Sequence, residues 1–337
     1  MFKVLLFVFS VALLASVNPS MADNSLPETV LHEEARFLMG TMARIQVSAS
    51  TAEGSALCAA AGYRALDLAD SLFSTWRPDS EITFINNNAG QGPIKISDAM
   101  AEVLSAALQV STTSNGAFDP TVLPLVELWG FRQPEPGPSP SDTAIQECLN
   151  AVGIHHVIYQ ANDQTIEFTH PKTQLDFGGI AKGAALDQAA EAMMKAGAVG
   201  GMIDLGGGLL VFGQGEEHMV GVINPLDSSH PLDVIPLSNG SVATSGQYER
   251  FRVHEGKTWG HILDPRTGQP CEQALSVTVI TQSALLADAL ATACFVLGPE
   301  DGLDLLESTP ECEGLIVFES YDGVMQRLST SGLPSKN

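Results

Sequence analysis

The chain of 337 residues is 45% hydrophobic and 16% charged, so it can bury a large core and is neither a disordered nor a low-complexity protein. Its 39 Asp and Glu residues outnumber the 16 Lys and Arg residues, which gives a net charge of -23. Because such a surface repels phosphate backbones, we expect no nucleic-acid partner. Any anionic cofactor must be held by local groups such as a metal ion, backbone amides or a single lysine.

The N-terminal segment has the pattern of a secretory signal peptide. A basic start precedes an apolar stretch of 14 residues at 4–17, and a polar segment then ends with small residues at Ser20 and Ala22. A membrane anchor needs about 20 apolar residues, so the pattern predicts a signal peptide at 1–22 that is cleaved after Ala22. The first cysteine is Cys58, which does not support a lipid anchor. We therefore expect residues 23–337 to be exported to the periplasm as a soluble protein.

Helices and strands alternate irregularly along the rest of the chain. Apolar spacing predicts helices at 52–73, 99–114, 141–152, 182–196 and 285–296. Alternating or apolar runs predict strands at 44–47, 156–159, 165–169, 201–205, 209–212, 250–254, 275–280 and 314–319. The Pro-rich stretch 133–140 is typical of an extended surface loop and marks no clear domain boundary. The mixture predicts an α+β or mixed α/β fold.

The cysteines are scattered, with no CxxC spacing, which argues against a zinc site or a dithiol redox site. One pair could be oxidised after export, and the odd number leaves at least one thiol free. The sequence does not select a pair among Cys58, Cys148, Cys271, Cys294 and Cys312.

The densest chemical signal is the segment 175–187, LDFGGIAKGAALD. Gly178 and Gly179 follow a short apolar strand, and a helix begins near Ala181 or Lys182. Glycines let a phosphate approach the backbone, a helix N-terminus favours negative charge, and Lys182 adds a positive charge. The alternative is an ordinary strand-to-helix turn with Lys182 in solvent.

A second glycine cluster, DLGGG at 204–208, lies between two apolar runs. It does not fit the dinucleotide-binding fingerprint, because Val211 stands where the third glycine should be and a strand, not a helix, follows. A tight turn between two strands is the better interpretation.

The segment 261–270, HILDPRTGQP, places four polar residues on one Pro- and Gly-rich turn. Such a turn holds the side chains of His261, Asp264, Arg266 and Thr267 close together. A lone histidine is usually structural, whereas a histidine beside Asp and Arg is a candidate acid or base.

The segment 287–292, ADALAT, lies within a predicted helix. Asp288 and Thr292 are four residues apart, so both oxygens project from one face. A carboxylate with a hydroxyl suits a hard cation such as Mg²⁺, whose remaining ligands are phosphate and water. The alternative is an exposed Asp288 near the helix N-terminus with Thr292 packed.

Taken together, these segments resemble the ApbE family of FAD:protein FMN transferases from about residue 37 to residue 298. Eight blocks in the order of the family are a stronger signal than any one motif. They are FLMGTMARI (37–45), FSTWRPDSEITFIN (73–86), GAFDPTV (116–122), LDFGGIAKG (175–183), IDLGGGLLVFG (203–213), ATSGQYERF (243–251), HILDPRTGQP (261–270) and VTVITQSALLADALATACFVLG (277–298).

The resemblance implies one large α/β domain of the T-fold-like type, with FAD stretched in a cleft and its diphosphate near a divalent cation. Family members transfer FMN from FAD to a Thr or Ser hydroxyl of a target protein and release AMP. The resemblance implies that Met39 and Trp76 contact the flavin end or the adenosine and that Ile262 packs on the cofactor. It implies that Ala117, Phe118 and Asp119 line the nucleotide cleft. The implied metal ligands are the Ala181 carbonyl and the side chains of Asp288 and Thr292.

Asn86 occupies the place that shapes the choice between transfer and hydrolysis in the family. Three positions depart from the family pattern: Trp76 stands where Tyr is frequent, Gln247 where Asp is frequent, and Gly260 where a small polar residue is frequent.

The resemblance places the reaction at the diphosphate, where His261 is our candidate general base, oriented by Asp264. Asp288 or a metal-bound water are alternative proton acceptors, and Lys182 assists at the diphosphate. Two other functions share the pattern: Mg²⁺-dependent hydrolysis of FAD to FMN and AMP, and non-catalytic binding of flavin in the periplasm. The implied target is an exported subunit of a sodium-pumping quinone reductase or of an Rnf-type electron-transfer complex. The sequence identifies neither the target nor the oligomeric state.

Overall fold

The computed structural model describes residues 29–133, 137–214, 217–227, 229–247, 251–254 and 257–333. The predicted signal peptide, its cleavage site and part of the Pro-rich loop lie outside these residues. Within the described part of the chain, no helix combines the length and the apolar character needed to span a bilayer.

An eight-stranded antiparallel sheet lies at the centre, in the order β1-β2-β6-β7-β10-β13-β14-β15. Its residues alternate: on β2 the side chains of Ala43, Ile45 and Val47 are fully buried and those between them are not. The strands are β1 (Val30–Leu38), β2 (Thr41–Ala49), β3 (Ile94–Lys95), β4 (Val157–Gln160), β5 (Thr165–Phe168), β6 (Gly200–Leu205), β7 (Gly208–Gly213), β8 (His218–Ile223), β9 (Pro231–Leu237), β10 (Gly240–Gly246), β11 (Phe251–His254), β12 (Lys257–Gly260), β13 (Ser276–Thr281), β14 (Glu313–Glu319) and β15 (Met325–Ser329).

Five of the helices begin at a Ser or Thr whose side chain accepts the amide three residues later: Thr51, Ser80, Ser97, Ser141 and Ser283. Helix α6 has no such cap. The helices are α1 (Ala52–Phe73), α2 (Glu81–Asn87), α3 (Asp98–Thr113), α4 (Leu123–Leu128), α5 (Asp142–Leu149), α6 (Ala181–Lys195), α7 (Ala284–Leu297) and α8 (Pro299–Ser308), and a 3₁₀ turn spans Ile154–His156.

Helices α1, α6, α7 and α8 pack against one face of the large sheet and form the main core with it. Hairpin β8–β9 packs on the opposite face, where Val222 contacts Leu315 and Val317. Helix α7 lies between the sheet and the neighbouring helices, and ten of its 14 residues are buried. A helix that is apolar on all sides suits that place, so a carboxylate within it needs a specific partner.

The predicted mixed α/β fold is confirmed, and the predicted helix at 52–73 matches α1 residue for residue. Several boundaries were wrong, and the strand predicted at 44–47 spans Thr41–Ala49. Helix α5 ends at Leu149, three residues before the predicted end, and the strand predicted from residue 156 is preceded by the 3₁₀ turn. Asp119 explains this turn, because its carboxylate accepts the amide of Ile154 at 3.1 Å. All five cysteines carry free thiols.

Candidate functional site

The glycine turn at 177–180 brings three separate segments together. The amide of Asp176 donates to the carbonyl of Pro120 at 2.7 Å, which joins the turn to the GAFDPTV segment. A Cβ on Gly179 would lie 2.8 Å from Oγ1 of Thr292 and 3.3 Å from Cε2 of Phe118. Only glycine leaves room for the turn between the Phe118 loop and helix α7.

Asp288 lies on α7 and faces the start of α6. Its carboxylate is 8% exposed, and Oδ2 accepts the amide of Gly183 at 3.0 Å. Burial raises the pKa of this carboxyl, and the Lys182 charge and the amides of Gly183 and Lys182 oppose that effect. The alternative of an exposed Asp288 is therefore wrong. Buried charges in proteins are paired or coordinate metals, so the buried carboxylate of Asp288 is a candidate ligand for a cation.

Thr292 follows Asp288 by one helical turn on α7. Its Oγ1 lies 3.4 Å from Oγ of Ser245 on β10, and Ala181, the first residue of α6, lies two positions before the amide that contacts Asp288. This set of one carboxylate, hydroxyls and a backbone carbonyl consists of hard oxygen donors, which fits Mg²⁺. Within the described ranges, no three His, Cys, Asp or Glu side chains cluster in a way that could hold a metal ion. A cation here would rely on few protein ligands.

Lys182 does not point into solvent. Its Nζ donates to the carbonyl of Gly206 at 2.7 Å, and the side chain is half-buried. Gly206 and Gly207 have φ values of 45° and 85° and join β6 to β7, so the tight turn predicted for DLGGG is confirmed. The Lys182 ammonium is thus held at the β6–β7 turn, and its charge favours the ionised form of Asp288.

The segment 261–270 forms a tight hairpin-like loop. The Gly268 amide donates to the Asp264 carbonyl at 2.7 Å, and the Asp264 amide donates to the Gln269 carbonyl at 2.8 Å. The Asp264 carboxylate accepts Nε and Nη2 of Arg266, both at 2.9 Å. Because this ion pair engages both carboxylate oxygens, the role of Asp264 in orienting His261 stays a prediction.

Asn86 is buried on α2 and pairs with the backbone of a distant residue. Its Nδ2 donates to the Leu175 carbonyl at 2.8 Å, and its Oδ1 accepts the Leu175 amide at 2.7 Å. Leu175 lies two residues before the glycine turn. Asn86 therefore anchors the backbone next to that turn.

The aromatic side chain of Trp76 is 57% exposed, and the guanidinium of Arg132 lies 4.7 Å from its ring. Arg132 also donates to the carbonyl of Thr75. One face of the indole is thus held and the rest stays accessible for a planar ligand. Met39, in the β1–β2 turn with φ of 49°, and Ile262 are both half-buried against the main core.

The residues of the AFD motif are buried in the loop before α4. Ala117 and Phe118 are 1% and 4% exposed. Asp119 accepts the amide and hydroxyl of Thr121 and the amide of Ile154, so its carboxylate is directed into the protein. Its side chain shapes the loop, and its predicted contact with the nucleotide stays a prediction.

Four residues near the site were not predicted: Asp176, Asp187, Ser245 and Arg132. Three of them lie within motifs that were recognised, since Asp176 and Asp187 belong to LDFGGIAKGAALD and Ser245 lies in ATSGQYERF. Asp176 accepts the amide of Gly178 through Oδ1 at 2.6 Å. Arg132 follows no motif, so no local signal indicated it.

The family model described as the ApbE family matches residues 39–316. This chain belongs to the ApbE family. It is 33% identical over 288 residues to the FAD:protein FMN transferase of Escherichia coli, which covers 83% of this chain and 81% of that protein. It is also 33% identical over 313 residues to the FAD:protein FMN transferase of Salmonella typhimurium, with 88% of each chain covered.

Solved ApbE structures share the fold. The ApbE protein of Thermotoga maritima matches with a TM-score of 0.81 and 32% identity, covering 88% of this chain and 97% of that one. The flavin transferase ApbE of Vibrio cholerae matches with a TM-score of 0.80 and 27% identity, covering 90% and 98%. The resemblance deduced from the eight ApbE blocks is thus confirmed.

Proposed function

We propose that this chain is an FAD:protein FMN transferase, which moves FMN from FAD to a Thr or Ser hydroxyl of a target protein and releases AMP. Membership of the ApbE family supports this, together with the names of relatives that align along most of their length. The structural observation that carries the proposal is Asp288, a buried carboxylate beside Thr292 and the glycine turn.

Magnesium is the cation that the donor set suits best. We assign it to Oδ1 of Asp288, Oγ1 of Thr292 and the carbonyl of Ala181, because Oδ2 of Asp288 already accepts the Gly183 amide. When bound, Mg²⁺ supplies positive charge beside the diphosphate of FAD. Without it, the Lys182 charge still favours the ionised form of Asp288.

The chain binds and orients FAD through three kinds of contact. The glycine turn exposes backbone amides near the start of α6, where the helix dipole favours phosphate. Lys182 is held rigid by the Gly206 carbonyl, so little side-chain entropy is lost when it meets a phosphate. The accessible face of Trp76 stacks on a ring of the cofactor.

The reaction is a substitution at the FMN-side phosphorus. The hydroxyl oxygen of the target forms a new P–O bond, the bond from that phosphorus to the bridging oxygen breaks, and AMP leaves with the bond electrons. The proton of the hydroxyl passes to His261, the general base, which lies at the start of a constrained loop. A water in place of the hydroxyl would give FMN and AMP, so the position of the target decides between transfer and hydrolysis.

The decisive experiment incubates the chain with FAD, Mg²⁺ and a Thr-containing exported target. The proposal predicts a target that stays fluorescent in a denaturing gel and one AMP per flavin attached. The matched control is a target with its acceptor Thr changed to Val. AMP with free FMN and an unlabelled target would identify a hydrolase, and no turnover with intact FAD binding would identify a flavin carrier.

Two variants test the assigned roles. We expect His261→Ala to bind FAD nearly as the parent does and to transfer FMN about a hundredfold more slowly. We expect Asp288→Ala to lose the effect of Mg²⁺ on FAD affinity. A parental transfer rate in His261→Ala at saturating FAD would place the base elsewhere.

We further propose that the chain acts in the periplasm on an exported electron-transfer subunit of the quinone reductase or Rnf type. The segment 1–22 supports export. Mass spectrometry of the protein recovered from the periplasmic fraction tests this. We expect a mature N-terminus at Asp23, and an intact Met1 in the cytoplasmic fraction alone would contradict it.

A further inference from the structure

Helices α6 and α7 cap each other through two carboxylates. Asp288 of α7 accepts the amide of Gly183 in the first turn of α6. In return, Asp187 of α6 reaches the start of α7, where Oδ1 accepts the Ala284 amide at 2.9 Å and Oδ2 accepts the Leu285 amide at 3.0 Å. Each helix thus satisfies free amides of the other.

The two helix N-termini are in backbone contact at Gly183. A Cβ at this position would lie 2.1 Å from the carbonyl oxygen of Ala284 and 2.7 Å from Cα of Leu285. Glycine in a helix costs about 1 kcal/mol relative to alanine, so close packing explains its presence here. With no intervening side chain, small movements of α7 displace Asp288 directly.

Asp187 does more than complete the cap of α7. Ser283 already serves as the N-cap, because its Oγ accepts the Leu286 amide at 3.3 Å. The same Oγ donates to Oδ2 of Asp187 at 2.9 Å, so the cap itself is tied to α6. What Asp187 adds is a connection between the two helices, made by one charged group with three donors.

The distance along α7 between this connection and the candidate cation site is short. Asp187 contacts residues 283–285, and Asp288 and Thr292 follow within the next two turns. The Ala181 carbonyl lies on the partner helix. The oxygens of α7 can converge with that carbonyl only if the two helices keep their relative position.

We infer that Asp187 is a positioning residue of the cation site, which holds α7 so that Asp288 and Thr292 meet the carbonyl of Ala181. The inference rests on the proposed function for the identity of the site. The Asp187 carboxylate is engaged by Ser283 and the amides of Ala284 and Leu285. It acts through the start of α7, so its replacement should change cation binding more than it changes binding of FAD alone.

The test measures FAD affinity by calorimetry, once with Mg²⁺ and once without it. The ratio of the two affinities measures the coupling between cation and cofactor. Asp187→Asn keeps the size of the side chain. Its NH₂ group, a donor, would face the Leu285 amide, which is also a donor, so that hydrogen bond is lost. We expect the ratio to fall about tenfold, the scale on which supporting residues affect metal affinity. The affinity for FAD without Mg²⁺ should stay parental.

Glu81→Gln is the matched control. The Glu81 carboxylate also connects one helix to the N-cap of another, accepting the amide and Oγ of Ser97 at 2.6 Å each, and this contact is at the start of α3. We expect this variant to keep the parental ratio. An equal fall of the ratio in both variants would mean a general loss of stability and would overturn the inference.

Two more variants distinguish a failure of the Asp187 inference from a failure of the proposed metal site. If Asp187→Asn does not fold, Ser283→Ala removes one donor to Asp187 together with the N-cap of α7 and leaves both amides on Asp187, and we expect a fall of about threefold in the ratio. A parental ratio in the folded variant overturns the inference, while loss of the ratio in Asp288→Ala keeps the metal assignment. Absence of any Mg²⁺ effect in the parent overturns both.

Discussion

Replacing Gly179 by alanine tests whether the glycine turn, Phe118 and α7 form one site. The new Cβ would lie 2.8 Å from Oγ1 and 3.1 Å from Cγ2 of Thr292, with Cε2 of Phe118 at 3.3 Å on another side. Ordinary contacts of a Cβ start near 3.4 Å, so a methyl group must displace Thr292, the turn or both. The hydroxyl assigned to the cation is the atom that the substitution moves first.

The size of the effect follows from the crowding. Overpacking of this kind costs about 1–3 kcal/mol, and about 1.4 kcal/mol corresponds to a tenfold change in an equilibrium constant. We therefore expect Gly179→Ala to weaken FAD binding in Mg²⁺ at least about tenfold and to lower the free energy of unfolding by about 1 kcal/mol. Calorimetry and urea denaturation measure the two quantities.

A double variant distinguishes displacement of Thr292 from damage to the turn. Thr292→Ala removes the atoms that the methyl group meets, so adding it to Gly179→Ala should restore stability without restoring the Mg²⁺ effect, a non-additive pair. Gly221→Ala on β8 is the control, because its Cβ would meet Pro231 at 3.6 Å. Parental Mg²⁺-dependent FAD binding in Gly179→Ala would refute the reasoning.

Three further predictions use other parts of the molecule. Gly183→Ala places a Cβ 2.1 Å from the backbone of α7, so urea denaturation should show a loss of about 3 kcal/mol, and a stability change below about 1 kcal/mol would contradict the helix contact. Arg132→Ala frees the ring of Trp76, so FAD affinity without Mg²⁺ should fall about threefold, and an unchanged titration would remove Arg132 from the site. Burial raises the pKa of Cys271 to about 12. The reactive thiolate of Cys271 is therefore negligible at pH 8 and forms only as the pH approaches about 12. Iodoacetamide at pH 8 should label the half-buried Cys148 before Cys271, and peptide mass mapping that shows the reverse order would contradict the buried position.

Local sequence determined the long helices and their polar positions. Helix α1 spans 22 residues with a regular apolar face and a Thr cap, so its bounds follow from its own side chains. The placement of Asp288 and Thr292 on one face of α7 follows in the same way, since helical periodicity is a local property. The glycines of 178–179 and 206–207 likewise indicated turns, because side chains restrict the backbone there.

Short or exposed elements carried no clear pattern. Strand β1 lies at the edge of the large sheet and none of its nine residues is buried, so its apolar residues do not alternate with polar ones. Helix α2 has seven residues, fewer than two full turns. Both become stable only by packing against β2, α1 and the rest of the core.

The partners of the polar side chains that join distant segments were decided by the tertiary structure alone. Sequence patterns placed Asn86, Lys182 and Asp187 in meaningful segments, but their partners lie 89, 24 and 96–98 residues away along the chain. A hydrogen bond between distant residues leaves no periodic trace, because it depends on how whole elements pack. The sequence by itself therefore determined that one helix carries Asp288 and Thr292, and the packing of α6 against α7 determined that Asp288 is buried against the start of α6.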